Sequence, residues 1–287
     1  MAGSMKAVKL RIKSVQSTMQ ITKAMQLVAA SKLRKAKEKA DNSKPYLESM
    51  LATLTDIATE NTEFQSIFTQ VSEDNDRWLY VVIAGDRGLA GGYNSNLFKF
   101  VEQEIKDKTN VTVLPIGKKS VEFFKHRNVP ILTEEYAEVA KMTISDCFQV
   151  SKLICGSYGG GGFGHVFLCY TNFVSMLSQV PTATSLLPLS DLSTGERVSD
   201  GKPRDLILYE PDSETVFNAI VPEYLAGILY TSINISYASE LAARRTAMEA
   251  ATDNAEEMIE TLSLYYNRAR QASITQEITE IVAGAES

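Results

Sequence analysis

Proline is missing from both ends of this chain. The first forty residues contain none, and no glycine after Gly3; the last forty-eight contain no proline and one glycine, Gly284. Nothing strong enough to break a helix is present in either stretch. Cysteine is scarce. Cys147, Cys155 and Cys169 lack metal-ligand spacing and read as buried free thiols in a reducing compartment. With two histidines, His126 and His165, a histidine-based metal or catalytic centre is not expected. No apolar run approaches the length that spans a bilayer. The basic start, MAGSMKAVKLRIKS, has no apolar signal core and continues into a helical pattern, so it reads as structure and not as a leader. Acidic residues are almost absent from residues 1–40, where ten Lys or Arg face Glu38 alone.

What is present at the ends is a seven-residue rhythm. From Glu240 to Ser287, Leu241, Met248, Ala255, Leu262 and Ala269 recur every heptad, with Ile259 and Tyr266 as a second row. Near the start, Val8, Ile12, Val15, Met19, Thr22, Ala29, Leu33, Ala36 and Ala40 keep the same rhythm, interrupted by Gln26. Long helices need a partner for such a stripe. The stripes fit an antiparallel coiled coil built from both termini. They also fit two amphipathic helices packed separately on a globular core. The charge is as polarised as the pattern. The chain carries a net charge of -6, yet residues 1–40 hold +9, which leaves -15 elsewhere. A basic helix of this kind seeks anionic surfaces, or else presents a solvated face.

The 287 residues, 44% hydrophobic and 22% charged, suit one large or two smaller ordered domains. The middle predicts an α/β layer with parallel strands over about 76–210: a doubly buried strand WLYVVIAG (78–85), a helix from SNLFKF, a strand VTVLPIG, helices KKSVEFFKHR and ISDCFQVSKLICGSY, one or two strands in HVFLCYTNFVSMLSQV, and another in LILYEP. The helical pattern of the N-terminal segment passes Pro45 and runs on through YLESMLATLTDIATE. The divisions are therefore 1–60 for an N-terminal coil helix, 76–210 for the α/β domain and 211–287 for a C-terminal coil helix.

Two glycine-rich stretches invite a nucleotide reading. GGGGFG (159–164) precedes a strand, where a pyrophosphate-binding turn would have to follow one, so a flexible connection explains it. GDRGLAGG (85–92) sits between strand and helix but lacks the G-K-[ST] that holds phosphate and magnesium. Asp86 and Arg87 in that turn can instead form a polar contact surface. No carboxylate pair, activated nucleophile or metal spacing stands out. A nucleic-acid role for the basic helix lacks support, since residues 1–40 contain no Phe, Tyr or Trp to stack bases.

Both ends resemble the gamma subunit of F-type ATP synthases. The resemblance rests on RIKSVQSTMQITKAMQLVAASKLRKAK (11–37) and ELAARRTAMEAATDNAEEMIETLSLYYNRARQASITQEITEIVAGA (240–285), with GDRGLAGGYNSNLF, SQVPT, LLPL and LYEPD between them in order. It implies an antiparallel coil of the termini carrying an inserted small Rossmann-like α/β domain. It implies a rotor shaft with no catalysis and no cofactor of its own, turning inside a ring of alpha and beta subunits. The other implied partners are an epsilon subunit and a membrane c-ring, with no insertion of this chain into the bilayer. At about 1.5 Å per residue a sixty-residue helix reaches roughly 90 Å, enough to cross a catalytic head. Met25 looks like a coupling methionine beside an acidic lever loop. Arg270 and Gln271 look like the pair that bonds a catch loop, and the antiparallel arrangement suggests that all three form one belt. Lys23, Lys32, Arg34 and Lys35 would meet acidic lever surfaces, and Tyr209 with Glu210 the membrane ring. Packing in the seam for Met25, and a solvated helix face for Arg270 and Gln271, are the plainer alternatives. Ala90 stands where many members have Cys, and no inserted cysteine pair is present, so no thiol switch is expected. The absence of a transit peptide points to a peripheral position on the cytoplasmic face of a bacterial membrane, or to the mitochondrial matrix side for a processed chain.

Overall fold

The computed structural model describes residues 2–60, 64–70, 75–136, 138–190 and 209–285, with side chains from Met5 onward and excluding Glu60. In chain order the elements are α1 (Ala2–Glu60), β1 (Trp78–Ile83), α2 (Tyr93–Ile105), β2 (Val111–Ile116), α3 (Lys118–His126), a short 3-10 turn (Val139–Lys141), α4 (Ile144–Gly159), β3 (His165–Phe173), β4 (Gln179–Leu187) and α5 (Ser213–Ala285). They form two compact units. One is Met1–Ser31 with Arg244–Ser287; the other is Lys32–Ala243.

The larger unit is built on a four-stranded sheet of order β2-β1-β3-β4. β1 pairs in parallel with both β2 and β3. Alternation along β1 divides the core. Leu79, Val81 and Ile83 face one layer with Leu54 and Ile57 of α1, Ile154 of α4, and Phe217, Val221 and Leu225 of α5. Tyr80 and Val82 face the other with Leu97 and Val101 of α2 and Phe124 of α3. A strand covered on both faces reads as an unbroken apolar run, as β1 does. α4 begins with a capping box: Asp146 N–H donates to Thr143 Oγ1 at 3.3 Å, and Thr143 N–H donates back to the Asp146 carboxylate at 2.7 Å. The donation from Thr143 N–H, with a second from the Thr143 hydroxyl to the same carboxylate at 2.8 Å, holds the Asp146 carboxyl below its ordinary value.

Two expectations need correction. The sheet is mixed, not purely parallel, because β4 runs antiparallel to β3. Only a short turn joins them, and a short turn can join only antiparallel neighbours. β4 also extends to Leu187, well past the SQV at which the sequence pattern faded. It is an edge strand carrying Pro181, where a missing donor is tolerated. Its Thr- and Ser-rich sequence gives little hydrophobic alternation to read. The strand expected in LILYEP lies mostly outside the described residues; Tyr209, Glu210 and Pro211 are not in a strand.

The expectation that no segment approaches membrane-spanning apolarity also fails. α5 contains an 18-residue window of mean hydropathy 1.3, half of it buried inside the structure. The buried series Phe217, Val221, Leu225, Leu229 and Ile233 shows what that apolarity serves: this part of α5 is a core helix of the sheet domain. Within the same unit α1 and α5 touch directly. Ser43 Oγ and Thr231 Oγ1 lie 2.8 Å apart.

In the smaller unit the two helices pair along the heptad stripe. Thr22 and Ala29 are buried from α1; Met248, Thr252 and Ala255 from α5. Val8, Ile12, Val15, Met19 and Gln26 are half-buried, as are Ile259, Leu262, Tyr266 and Ala269. Gln26 therefore keeps its place in the seam. Thr22 Oγ1 and Thr252 Oγ1 hydrogen-bond across it at 2.8 Å. Coverage of α5 ends at Ser273, the level at which an antiparallel α1 begins. Small knobs let the backbones approach closely.

Candidate partner-contact surfaces

A helix pair buries its seam and leaves the rest of both helices bare. What those bare faces carry is therefore informative. Lys23 is exposed beside half-buried Met25. Ile21 and Val28 are exposed apolar residues on the Met25 face, at helical spacings of four and three. A seam methionine needs no such neighbours. An apolar stripe outside the seam marks a surface that another protein covers. Ile21 and Val28 escape a heptad search because they lie off the seam; that displacement is itself the signal.

Arg270 and Gln271 are exposed on α5. Leu264 and Tyr265, one to two turns earlier, are exposed apolar residues as well. Beyond Ser273 every residue of the helix through Ala285 is exposed. Ile274, Ile278, Ile281 and Val282 lie along one side of it in the open, Ile281 at 71% exposure. No sequence motif marks these four as a contact. Their spacing of four, three and one residues is an apolar helix face, and only the missing partner separates it from a core face.

The proposed single belt is not formed. Thr22 lies against Thr252, so Met25 is level with about Glu249. Arg270 stands twenty-one residues further along α5 than Glu249, roughly 30 Å at 1.5 Å per residue. Antiparallel pairing does bring early residues near late ones. The register decides which, and here Arg270 and Gln271 are level with the first residues of α1.

In the larger unit Lys32, Arg34 and Lys35 are exposed. They flank buried Leu33 and Ala36 without entering the seam. Lys37 has its ammonium 5.0 Å from the centre of the Phe173 ring, an attractive cation–aromatic geometry. Tyr209 is half-buried against the main core, and Glu210 is exposed. The tyrosine thus anchors a segment that holds the carboxylate outward.

The glycine-rich turn after β1 is closed by the protein's own anion. Asp86 Oδ1 accepts from the backbone N–H of Val139 at 3.0 Å and of Lys118 at 3.4 Å, and Oδ2 accepts from Ala140 at 3.2 Å. These amides open the 3-10 turn and α3, where a phosphate would otherwise be attracted. Gly85 N–H donates to Asn94 Oδ1 at 2.9 Å, and buried Glu240 packs against the same glycine. A carboxylate there and another holding the neighbouring amides are poor company for a polyphosphate. Arg87 remains exposed. Replacing Asp86 with Ala removes the acceptor of three backbone donors. It is expected to lower stability by about 1–3 kcal/mol, read by chemical denaturation of the isolated chain.

The remaining chemistry-bearing residues are structural. Burial pushes the Cys147 and Cys169 thiols up to about 12 and Cys155 up to about 11, so none is a ready nucleophile. His165 stacks on Trp78 at 4.1 Å, and burial followed by the nearby Lys108 charge lowers its pKa. Among the described residues no cluster of His, Cys, Asp or Glu is placed to hold a metal.

The sequence matches the ATP synthase family model over residues 4–287. It is 46% identical to an ATP synthase gamma chain of Ruminococcus albus, across 97% of this chain and 96% of that one. It is 39% identical to the sodium-ion-specific ATP synthase gamma chain of Acetobacterium woodii, across 100% and 99%. Among solved structures, a chain of the Euglena gracilis mitochondrial ATP synthase shares the fold with a TM-score of 0.69, at 20% identity and coverages of 99% and 94%. A chain of the Tetrahymena thermophila central stalk and c-ring shares it at 0.57, with 23% identity over 80% and 99%.

Proposed function

This chain belongs to the ATP synthase gamma-chain family, and from that premise we propose how its surfaces transmit torque. As a gamma chain it is the non-catalytic central-stalk rotor of an F-type ATP synthase. Its partners are the alpha and beta subunits of the catalytic ring, the epsilon subunit and the c-ring. The chemistry at the nucleotide sites is not its own. Its work is to present different faces to three catalytic sites in turn, so that each site's conformational equilibrium is biased by the contacts it meets.

The observation that carries the proposal is the apolar and cationic dressing of the bare coil faces. In the smaller unit Met25 with Ile21, Val28 and the Lys23 charge forms a patch for an acidic lever loop; in the larger unit Lys32, Arg34 and Lys35 present cations to acidic lever surfaces. Such exposed pairs steer and orient more than they stabilise, and salt weakens them. Arg270 and Gln271 hydrogen-bond a catch loop in a separate tier, and the stripe Ile274–Val282 turns inside the apolar collar of the ring. Tyr209 and Glu210 lead to the c-ring. The complex is membrane-associated, and we place this subunit peripherally on the cytoplasmic face of a bacterial membrane.

Hydrogen exchange tests the reading. In the isolated chain, backbone amides of 274–285 are expected to exchange fast, because no side-chain packing holds that stretch helical. In the assembled complex they are expected to be protected. Equal exchange in both states means the tip turns in solvent and the collar contact is wrong.

A further inference from the structure

The turn between β3 and β4, Val174–Ser178, is an apolar tip held in one shape. Leu177 is 84% exposed, more than any other large apolar residue described, and Val174 and Val180 are exposed beside it. Loop tips with such residues are usually slack. This one is not. Val174 and Ser175 N–H groups donate to Ser178 O at 3.2 and 2.9 Å. Ser175 Oγ accepts from the N–H of Leu177 at 3.3 Å and of Ser178 at 3.1 Å. The Gln179 side-chain amide donates to the carbonyls of Ser175 and Met176 at 3.0 and 2.9 Å. A pre-shaped apolar tip loses little freedom on docking.

Its surroundings say what docks there. The ring of Phe173, at the base of the tip, carries the Lys37 ammonium. Residues 32–39 of α1 hold Lys32, Arg34, Lys35, Lys37 and Lys39 against one acid, Glu38. The hairpin is also tied to α5, since Ser239 Oγ donates to Thr171 O at 3.0 Å. Ser239 lies twenty-six residues beyond Ser213, where α5 begins, roughly 39 Å along the helix. Tyr209 and Glu210 lie just before that start. The tip is therefore far from the segment assigned to the c-ring, and an uncharged knob beside a basic stripe suits an acidic, apolar-edged segment.

We propose that the β3–β4 tip, led by Leu177, is a second docking knob of the rotor for an acidic, apolar-edged segment of the catalytic ring. The inference rests on the rotor reading above and adds a surface to it. A knob on the sheet domain, separate from the coil faces, would give the ring a contact whose position is set by the domain and not by helix twist.

The test uses the whole purified complex. Leu177→Cys is labelled with a photoreactive maleimide; the three native thiols are buried and poorly ionised. Irradiation is expected to link it to an alpha or beta subunit, at an acidic segment identified by mass spectrometry. Links only to the c-ring or epsilon subunit, or no link with the thiol as reactive as in the isolated chain, would overturn the proposal. Arg270→Cys, treated identically, separates the two ideas. A ring link from position 270 without one from 177 leaves the rotor contacts standing and sinks the knob; no link from 270 counts against the catch-loop contact. Charge provides the second measurement. Leu177→Asp is expected to reduce ion pumping several-fold, and Leu177→Lys to retain it. Equal loss in both would remove the acidic partner.

Discussion

Met25→Lys is expected to lower the ratio of ATP-driven ion pumping to ATP hydrolysis while nucleotide binding by the ring persists. Met25 is half-buried, level with Glu249, and lies between exposed Ile21 and Val28. In the contact proposed for Met25, an ammonium would enter surroundings that already carry the Lys23 charge. An ill-paired charge in such a place costs several kcal/mol. It can equally pair too well in one rotary position, which deepens that well and raises the step out of it. A bias of only about 1–2 kcal/mol between positions changes their occupancies by about 5- to 30-fold. Pumping and hydrolysis are measured on the same reconstituted vesicles. Arg270→Ala with Gln271→Ala is expected to lower turnover by a separate route, because its tier is roughly 30 Å from Met25. Effects of the two sets should then combine additively. Strong non-additivity would restore the single belt, and an unchanged ratio in Met25→Lys would leave that residue as seam packing.

Gly117→Ala should be strongly damaging to the sheet domain. Gly117 has φ of 97°, a left-handed conformation that side chains resist. A methyl there would come 2.2 Å from the carbonyl oxygen of Ala84 and 2.9 Å from Val139 Cγ2. The oxygen belongs to backbone at the end of β1, whose Ala84 N–H is already committed to Ile116 O at 2.9 Å. Backbone has no rotamer with which to move aside. Strain and clash together should cost more than about 3 kcal/mol, a melting shift of roughly 10 °C for a domain of this size. Gly156→Ala is the control. It lies in α4 with open space around it and no positive φ, so it should stabilise by about 0.4–1 kcal/mol. Thermal unfolding followed by circular dichroism compares the two. A Gly117→Ala protein that melts with the parent would show that β1 and α3 can separate at little cost.

The outcome at each element follows from how local its cause is. The two terminal helices were legible because their causes are local: no proline at the ends, and a stripe whose period survives Gln26. β1 was legible because burial on both faces demands an unbroken apolar run. The buried state of the three cysteines fitted their lack of partners in sequence. β4 was not legible. An edge strand needs little apolar alternation, and its hydrogen bonds come from β3, which no pattern within residues 179–187 encodes.

The apolarity of α5 between Phe217 and Ile233 did not reveal its use, because a core helix and a membrane helix share a composition. The role of Asp86 was equally hidden, since its partners lie more than thirty residues away in sequence. The sequence by itself determined that this chain ends in two long heptad-striped helices with an α/β segment between them, and its motifs determined the family; that the two stripes pair with each other was decided by the structure. Only the tertiary structure decided which apolar residues stay uncovered. It set Met25 and Arg270 in different tiers and left Ile274–Val282 bare. It also raised Leu177 on a rigid tip. Periodicity fixes which side of a helix is apolar, but register and partner length fix whether anything covers it.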